Sequence, residues 1–479
     1  MLNFKDKKVL IFGLGSYPEG SGVSAACFFI QQGAEVTITD MKRANELQNN
    51  IRLVQEEVKK QKKQGKNSKV NFCLGRHRLS DVRAADLVIR NPGVPMHSPY
   101  LHAARRRGIP IETDVSIFMQ LCPCRVIGIT GTRGKSTTTT LYGEMARHRF
   151  KVFVGGNIQR SPLTFLNKID KKSLVVLELS SWLLESLVDI KKSPNAALVT
   201  NIYEDHLNIH KTMKNYITAK ENIFKFQEEG NIIVLNRDNS YTKKMEKNVA
   251  KGAIVSWFSI KPFKGRIRGA YIKDGWIIVQ HYNQGFTWHA HKVIKVKDMK
   301  LEGGHNVANA LAACALAHAT GLALKDMTAA LKTFRGIPSR QEAVRSLREI
   351  IYINDTTATT PEAAMAALER FGKKRKVVLI AGGADKKLKF SKFVQAIKKY
   401  CKAVVLLDGS GTKKIEPMLR GNAKFLGVYG SMISALHATR GVAEKGDTIL
   451  LSPGCASFGI FKNEFDRGEQ FVRLVKGLK

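Results

Sequence analysis

The sequence predicts an α/β protein of three domains, on three observations. At 479 residues the chain is too long to fold around one hydrophobic core. Its first forty residues read as strand, glycine turn, helix, strand and a closing acid. A second strand–turn–helix surrounds a glycine-rich run at 128–136, and strands alternating with helical patterns return after residue 338. Hydrophobic content of 44% and charged content of 25% are ordinary for a globular chain, and no apolar run is long enough to span a membrane.

The N-terminus, MLNFKDKKVLIFGLG, carries charge and a short apolar run but no small-residue cleavage site, so it reads as a first strand and not a signal peptide. Residues 8–12 are that strand. Gly13, Leu14 and Gly15 turn the chain, a helix runs over 22–32, and a strand over 35–39 ends at Asp40. Dinucleotide-binding domains begin this way. Pro18 stands where the third glycine of that fingerprint belongs, and Gly20 and Gly22 follow, so the turn is elongated. The reading is a nucleotide-type turn of unspecified ligand, not an NAD site. Residues 54–69 are Lys-rich and predict a solvated helix and loop. A strand over 87–89 leads into Asn91-Pro92-Gly93-Val94-Pro95, a turn made rigid by its prolines. The first domain is drawn over residues 1–120.

The middle domain is drawn over 121–336. Its run GITGTRGKS (128–136) follows Val126 and Ile127 and precedes a helix over 137–147. That is the layout of a phosphate-binding loop. Glycines let the backbone wrap a polyphosphate, and N–H groups at the helix start donate to it. The lysine offsets charge, and the serine hydroxyl reaches Mg²⁺. Gly131, Thr132, Arg133, Gly134, Lys135, Ser136 and Thr137 are thus the candidate nucleoside-triphosphate residues. Glu178 ends a strand over 174–179, where it is either a Mg²⁺ ligand or water-orienting acid, or a surface glutamate. His206, in the run TNIYEDHL, is either a metal or carboxylate partner or part of a helix start with acids placed for the dipole. Lys220, one turn after Tyr216, reads by itself as a surface lysine. Strands over 197–201 and 232–235, a β-rich stretch over 253–296 and a helix over 306–319 complete this domain. The third, 337–479, holds strands at 350–353, 377–380, 403–407 and 448–451.

The chain has 78 Lys and Arg against 40 Asp and Glu, a net charge of +38. The basic residues are spread along it and are not interleaved with aromatics as a base-stacking platform would be. Anionic small substrates on a basic composition are favoured over nucleic acid. Seven scattered cysteines, an odd number, fit reduced thiols in a cytoplasmic protein.

The order of motifs resembles the Mur ligase family: GTRGKSTTT, Gly155-Gly156-Asn157, LELSS, TNIYEDHLNIH, YITAKENIF and EGGHNVANALAA. The C-terminal runs YINDTTATTPEAAMAAL, LIAGGADKKLKF and LLSPGCASFGIFKNEFDRGEQF are similar to those of its glutamate-adding members. The resemblance implies an N-terminal Rossmann-like domain, a central P-loop ATPase-like domain and a C-terminal Rossmann-like domain. It implies ATP-dependent addition of D-glutamate to UDP-N-acetylmuramoyl-L-alanine through an acyl phosphate, in peptidoglycan precursor synthesis, by a cytoplasmic monomer using two Mg²⁺ ions. Lys135, Ser136, Glu178 and His206 would serve ATP and metal, and Lys220 would be carbamylated. Asn306 and Asn309 would lie near the adenine, and Arg340 and Asp355 would approach ATP. Gly15, Asp40, Asn157 and Ser180 would bind the UDP-muramoyl substrate. Thr359, Lys386, Ser457 and either Phe461 or Phe465 would hold glutamate. Thr357 stands where a lysine is common, and Ser339 where histidine is common. The alternatives are a sister ligase using another amino acid such as L-glutamate, a folylpolyglutamate-type synthase, or a basic P-loop NTPase acting on nucleic acid.

Overall fold

The computed structural model describes every residue except Met1, residues 66–68, Gln159, residues 283–286, Glu302, residues 374–375, residues 386–387 and Ala423, together with the side chain of Asn208. The chain divides into two compact units, Met1–Phe334 and Arg335–Lys479.

The first unit contains two sheets. One is built from β1 (Lys8–Phe12), β2 (Glu35–Asp40), β3 (Val70–Leu74), β4 (Leu87–Arg90) and β5 (Ile111–Glu112). Its order is β3-β2-β1-β4-β5 and every pairing is parallel. That is a Rossmann-type order, with the switch point between β1 and β4, where ligands bind beyond the strand ends. The helix Ser21–Gln31 follows β1. A Cβ on Gly22 would overlap the carbonyl oxygens of Gly13 and Leu14. Gly22 therefore does the work of the third fingerprint glycine, which lets helix and strand approach closely, and the elongated turn is a displaced fingerprint. The Lys-rich stretch belongs to a helix that starts earlier than expected, Ala44–Lys63, and buries Leu47, Val54 and Val58 against the core. Only its outer face is solvated, and residues 66–68 lie outside the described residues.

The second sheet has nine strands: β6 (Arg125–Thr130), β7 (Val152–Gly156), β8 (Leu174–Glu178), β9 (Ala196–Val199), β10 (Ile232–Asn236), β11 (Ile254–Ser259), β12 (Gly269–Lys273), β13 (Trp276–Tyr282) and β14 (Trp288–Lys295). They run β14-β13-β12-β11-β10-β9-β6-β8-β7, parallel up to β12 and antiparallel thereafter. Every residue of β8 is buried, as expected of a parallel strand covered on both faces. Two apolar clusters divide that strand between them: Val175 and Leu177 join one, Leu174 and Val176 the other.

The second unit has one sheet: β15 (Glu342–Leu347), β16 (Ile350–Asn354), β17 (Val377–Gly382), β18 (Cys401–Leu407), β19 (Phe425–Tyr429) and β20 (Thr448–Leu451). The order is β15-β16-β20-β17-β18-β19, with β15 antiparallel and the rest parallel. Among the described residues no helix is long and apolar enough to cross a membrane.

Candidate active site

The phosphate-loop motif lies where β6 ends. Gly131 and Gly134 both have positive φ, and the helix Lys135–Arg147 starts directly after Gly134. Neither glycine has room for a Cβ: at Gly131 it would strike the Thr200 hydroxyl, and at Gly134 the Asn309 amide oxygen. Backbone N–H groups therefore line an open helix start, where an anion is stabilised by them and by the helix dipole. The loop is fixed from behind. The Thr132 N–H donates to the Asn201 carbonyl at 2.8 Å, and the Arg133 N–H to the Asn201 side chain at 2.8 Å. Asn309 therefore sits against the loop, and its Nδ2 donates to Asn306 Oδ1 at 3.1 Å.

Two lysines converge on one carbonyl. Lys135 Nζ donates to Gly131 O at 3.0 Å and to Thr132 O at 3.1 Å. Lys220 Nζ donates to the same Gly131 O at 2.9 Å and to Thr130 Oγ1 at 3.3 Å. Lys220 is only 2% exposed, which disposes of the surface reading. Its amine lies 4.8 Å from the centre of the Tyr216 ring, whose hydroxyl is 3.2 Å from Thr132 Oγ1. Burial, reinforced by the charge of Lys135, holds the Lys220 amine well below its usual range, against the pull of Asp205 and Glu178.

Glu178 is also only 2% exposed, at the end of β8. Its Oε1 accepts from Asn157 Nδ2 at 3.0 Å, while Oε2 is buried with no hydrogen-bond partner among the described residues. A buried carboxylate oxygen left unpaired is costly unless something binds it. Gly156 passes so close to the Glu178 carbonyl that a Cβ there would overlap it, which brings Asn157 alongside. Ser180 is buried and its hydroxyl caps the helix Ser181–Glu185 by accepting from the Leu183 N–H.

His206 sits in the left-handed region at φ 55° and opens the one-turn helix Leu207–His210. Its ring packs edge-on against Trp182 at 4.6 Å, with Asp205 Oδ2 3.7 Å from Nε2. Burial lowers its pKa, Asp205 opposes the shift, and Lys135, Lys220 and Arg133 add to it. Sequence reading passed over His210. It is buried, 2.9 Å from the Ser181 hydroxyl and 3.5 Å from Glu185, and so pins the far end of the turn that carries His206. The only local signal was the second histidine of the run DHLNIH.

A cleft of about 350 Å³ opens beside this cluster, lined by Gly15, Asn91, Asp114, Gly156 and Asn157 among others. It lies at the switch point of the first sheet. Asp40 is turned to support that turn: Oδ2 accepts from the N–H groups of Leu14 at 2.9 Å and Gly15 at 3.1 Å.

In the second unit Asp355, just after β16, is 3% exposed. Ser452 Oγ donates to Oδ2 at 2.7 Å and the Gln341 N–H to Oδ1 at 3.1 Å. Burial pushes this carboxyl up to about 7, against those two hydrogen bonds and the charges of Arg340 and Arg370. Arg340 itself is exposed. The Thr359 N–H donates to the Thr357 carbonyl, and Ser457 is buried with its Oγ unpartnered among the described residues. Phe461 is a core residue, whereas Phe465 lies in the first turn of the last helix, Glu464–Lys476, and is half-buried. Lys386 lies outside the described residues. Thr357 and Ser339, the two unusual positions, meet: Thr357 Oγ1 donates to the Ser339 carbonyl at 3.0 Å. Sequence reading gave Arg467 no role. It is 0% exposed and donates to Thr356 Oγ1 at 3.0 Å, Thr356 O at 2.8 Å and Cys455 O at 3.3 Å. It thereby ties together the loops that carry Asp355 and Ser457.

Three family models match in order: "Mur ligase MurD-like, N-terminal domain" over residues 7–113, "Mur ligase middle domain" over 129–317, and "Mur ligase, glutamate ligase domain" over 339–455. The chain belongs to the Mur ligase family, ATP-dependent enzymes that form amide bonds in peptidoglycan precursors. Among its relatives, a UDP-N-acetylmuramoylalanine–D-glutamate ligase of Roseiflexus sp. (strain RS-1) is 40% identical, the match covering 98% of each chain. One of the same name from Clostridium tetani is 37% identical over 99% of this chain and 97% of its own. Among solved structures, a UDP-N-acetylmuramate-alanine ligase, MurC, from Thermotoga maritima has a TM-score of 0.58 at 21% identity, covering 99% of this chain and 100% of that one. A MurF ligase from T. maritima in complex with ADP has a TM-score of 0.53 at 15% identity, covering 99% and 100%. These two structures share the three-domain fold.

Proposed function

We propose that this chain joins D-glutamate to the alanyl carboxylate of UDP-N-acetylmuramoyl-L-alanine, cleaving ATP to ADP and phosphate. The relatives that carry that activity in their names match it from end to end. The geometric observation that carries the reading is the phosphate loop, with Lys135 and Lys220 on one carbonyl beside the half-paired carboxylate of Glu178.

A carboxylate is a poor electrophile at neutral pH and must first be phosphorylated. The alanyl carboxylate oxygen attacks the γ-phosphorus of ATP, ADP leaves, and an acyl phosphate forms. The glutamate amine then adds to the acyl carbon and gives up a proton, and inorganic phosphate leaves from the tetrahedral intermediate. Lys135 and the N–H groups at the start of its helix offset charge on the β- and γ-phosphates. The UDP-muramoyl group occupies the cleft at Gly15 and Asn157. Asp40 acts there through its hold on the glycine turn.

The donor set fits Mg²⁺, a hard cation that takes oxygen ligands, because Glu178 Oε2 is buried and, among the described residues, unpartnered. Ser136, Glu178, His206 and a carbamate on Lys220 would hold the two ions, which when bound neutralise phosphate oxygens. Burial and the charge of Lys135 shift the Lys220 amine toward its neutral form. It is then a nucleophile for CO₂, giving an N-carboxylate and a proton. Asn306 and Asn309 lie near the adenine. Arg340 and Asp355 approach ATP from the C-terminal domain, 337–479, while Thr359, Lys386, Ser457 and Phe465 meet glutamate.

The test is phosphate release from Mg²⁺-ATP with UDP-N-acetylmuramoyl-L-alanine, supplied with D-glutamate, L-glutamate or no amino acid. Release that requires the nucleotide substrate and the D isomer is expected. Release with L-glutamate alone would reassign the isomer. No release with either would overturn the reading and direct attention to other amino acids, then to nucleic acid.

A further inference from the structure

Arg90 ends β4 and is withdrawn from water, at 1% exposure. The chemistry described so far gives it no part. Its two terminal nitrogens reach different segments. Nη1 donates to the Val94 carbonyl at 3.0 Å, in the turn that follows β4. Nη2 donates to the Trp182 carbonyl at 3.3 Å, in the helix Ser181–Glu185 that follows β8 of the second sheet. Asn91 and Pro92 of the turn and Leu183 of the helix all line the cleft at the switch point. One guanidinium thus ties together two walls of that cleft, one from each sheet.

The same helix leads to the proposed Mg²⁺ ligand His206. The Trp182 ring meets the His206 ring at 4.6 Å and the His210 ring at 6.0 Å. Ser181 and Glu185, at the two ends of the helix, face opposite nitrogens of His210. Glu185 is also the main counter-charge to Arg90. Burial lowers the Arg90 pKa; Glu185 opposes that most, Arg105 adds to it and Asp114 opposes it. Taking a guanidinium out of water is costly, and two carbonyl acceptors with a carboxylate nearby offset the cost only while all of them are held in place.

We propose that Arg90 is a positioning residue that links occupation of the UDP-muramoyl cleft to the placement of His206. The inference rests on the ligase reading above and extends it to a residue that touches neither substrate nor metal. Substrate in the cleft bears on the turn 91–95 and on Leu183. Through Arg90 the turn and the helix shift together, and Trp182 carries the shift to His206. Arginine suits this role because its planar fork holds two acceptors in fixed directions, which a lysine ammonium does not. Both acceptors are main-chain carbonyls, so Arg90 fixes the path of two backbones. The Thr113 hydroxyl lies 2.9 Å from that of Ser186, just beyond the helix, and ties it to the first domain independently of Arg90.

The test uses the full-length chain, Arg90→Met and Arg90→Lys. Trp182→Phe assigns the signal among the four tryptophans. UDP-N-acetylmuramoyl-L-alanine is titrated into metal-free protein without ATP, and tryptophan emission is followed alongside the heat of binding. Emission of the parent should change on binding, and Trp182→Phe should lose that change. Arg90→Met should bind about tenfold more weakly and lose most of the emission change. In turnover with Mg²⁺-ATP and D-glutamate, Arg90→Met should raise two constants together by about tenfold: the KM for the nucleotide substrate and the Mg²⁺ concentration for half-maximal rate. The KM for D-glutamate should stay the same, and Arg90→Lys should recover part of both losses. Glu185→Gln, which removes the charge facing Arg90 and His210, is the second variant should Arg90→Met fail to fold, and should move the same two constants in the same direction. Variants that match the parent in emission and in both constants, with only a lower thermal midpoint, overturn this proposal alone. A parent that releases no phosphate with either glutamate isomer overturns the ligase reading, and this proposal with it.

Discussion

Two buried ionisable side chains, Lys220 in the first unit and Asp355 in the second, are both pushed toward their neutral forms, but by different surroundings. Asp355 is opposed by burial alone, while Ser452, the Gln341 N–H and two arginines pull it back. Lys220 is opposed by burial and by a second lysine sharing its acceptor. Burial by itself raises the Asp355 carboxyl without gathering a second like charge around it. Two like charges drawn onto one carbonyl are the mark of a place built to receive an anion.

Four substitutions sharpen or break this contrast. Lys135→Ala should lower kcat by about 10³-fold or more, because the phosphate loses its main counter-charge. Near-normal turnover would remove the phosphate loop from the chemistry. Lys220→Ala should cost about 10²-fold in kcat, with partial recovery in added formate or acetate, which restore an anionic oxygen near the vacated position. Full activity without rescue would make Lys220 a packing residue. Arg467→Met should cost about 2–4 kcal/mol in denaturant stability, because three hydrogen bonds from a fully buried guanidinium are lost. It should leave the KM for ATP little changed. A stability loss near zero would show that the loops around Asp355 and Ser457 support themselves.

Asp355 also carries a pH dependence. Folded Asp355 keeps its proton up to about 7, whereas the unfolded chain releases it near 4. The folded state thus binds more protons between those values, and stability falls as pH rises through that window. Asp355→Asn removes the titration, so its denaturation midpoint should fall less than that of the parent between pH 4 and pH 7, both approximate. Parallel curves would mean that Asp355 is ionised in the fold.

Local pattern carried much of this molecule. The buried strand KVLIF and the run GITGTRGKS were legible because a strand, a glycine turn and a helix start are set by near neighbours. The strands that escaped were short or mixed, such as β3 (VNFCL) and β7, which ends in Gly155 and Gly156. Their strand character comes from pairing with a neighbour already in the sheet. Reading Pro18 as a break in the fingerprint failed for a related reason. The need for a glycine is a matter of helix-to-strand distance, and Gly22 meets it four residues later.

The sequence by itself determined the three α/β domains, the phosphate loop and the order of the family's motifs, since these depend on spacing and backbone preference. Only the tertiary structure decided that Lys220 is buried and Glu178 half-paired, and that His210 and Arg467 are supports. Burial, shared acceptors and cross-strand neighbours arise between segments far apart in the chain, and spacing along one segment holds no record of them.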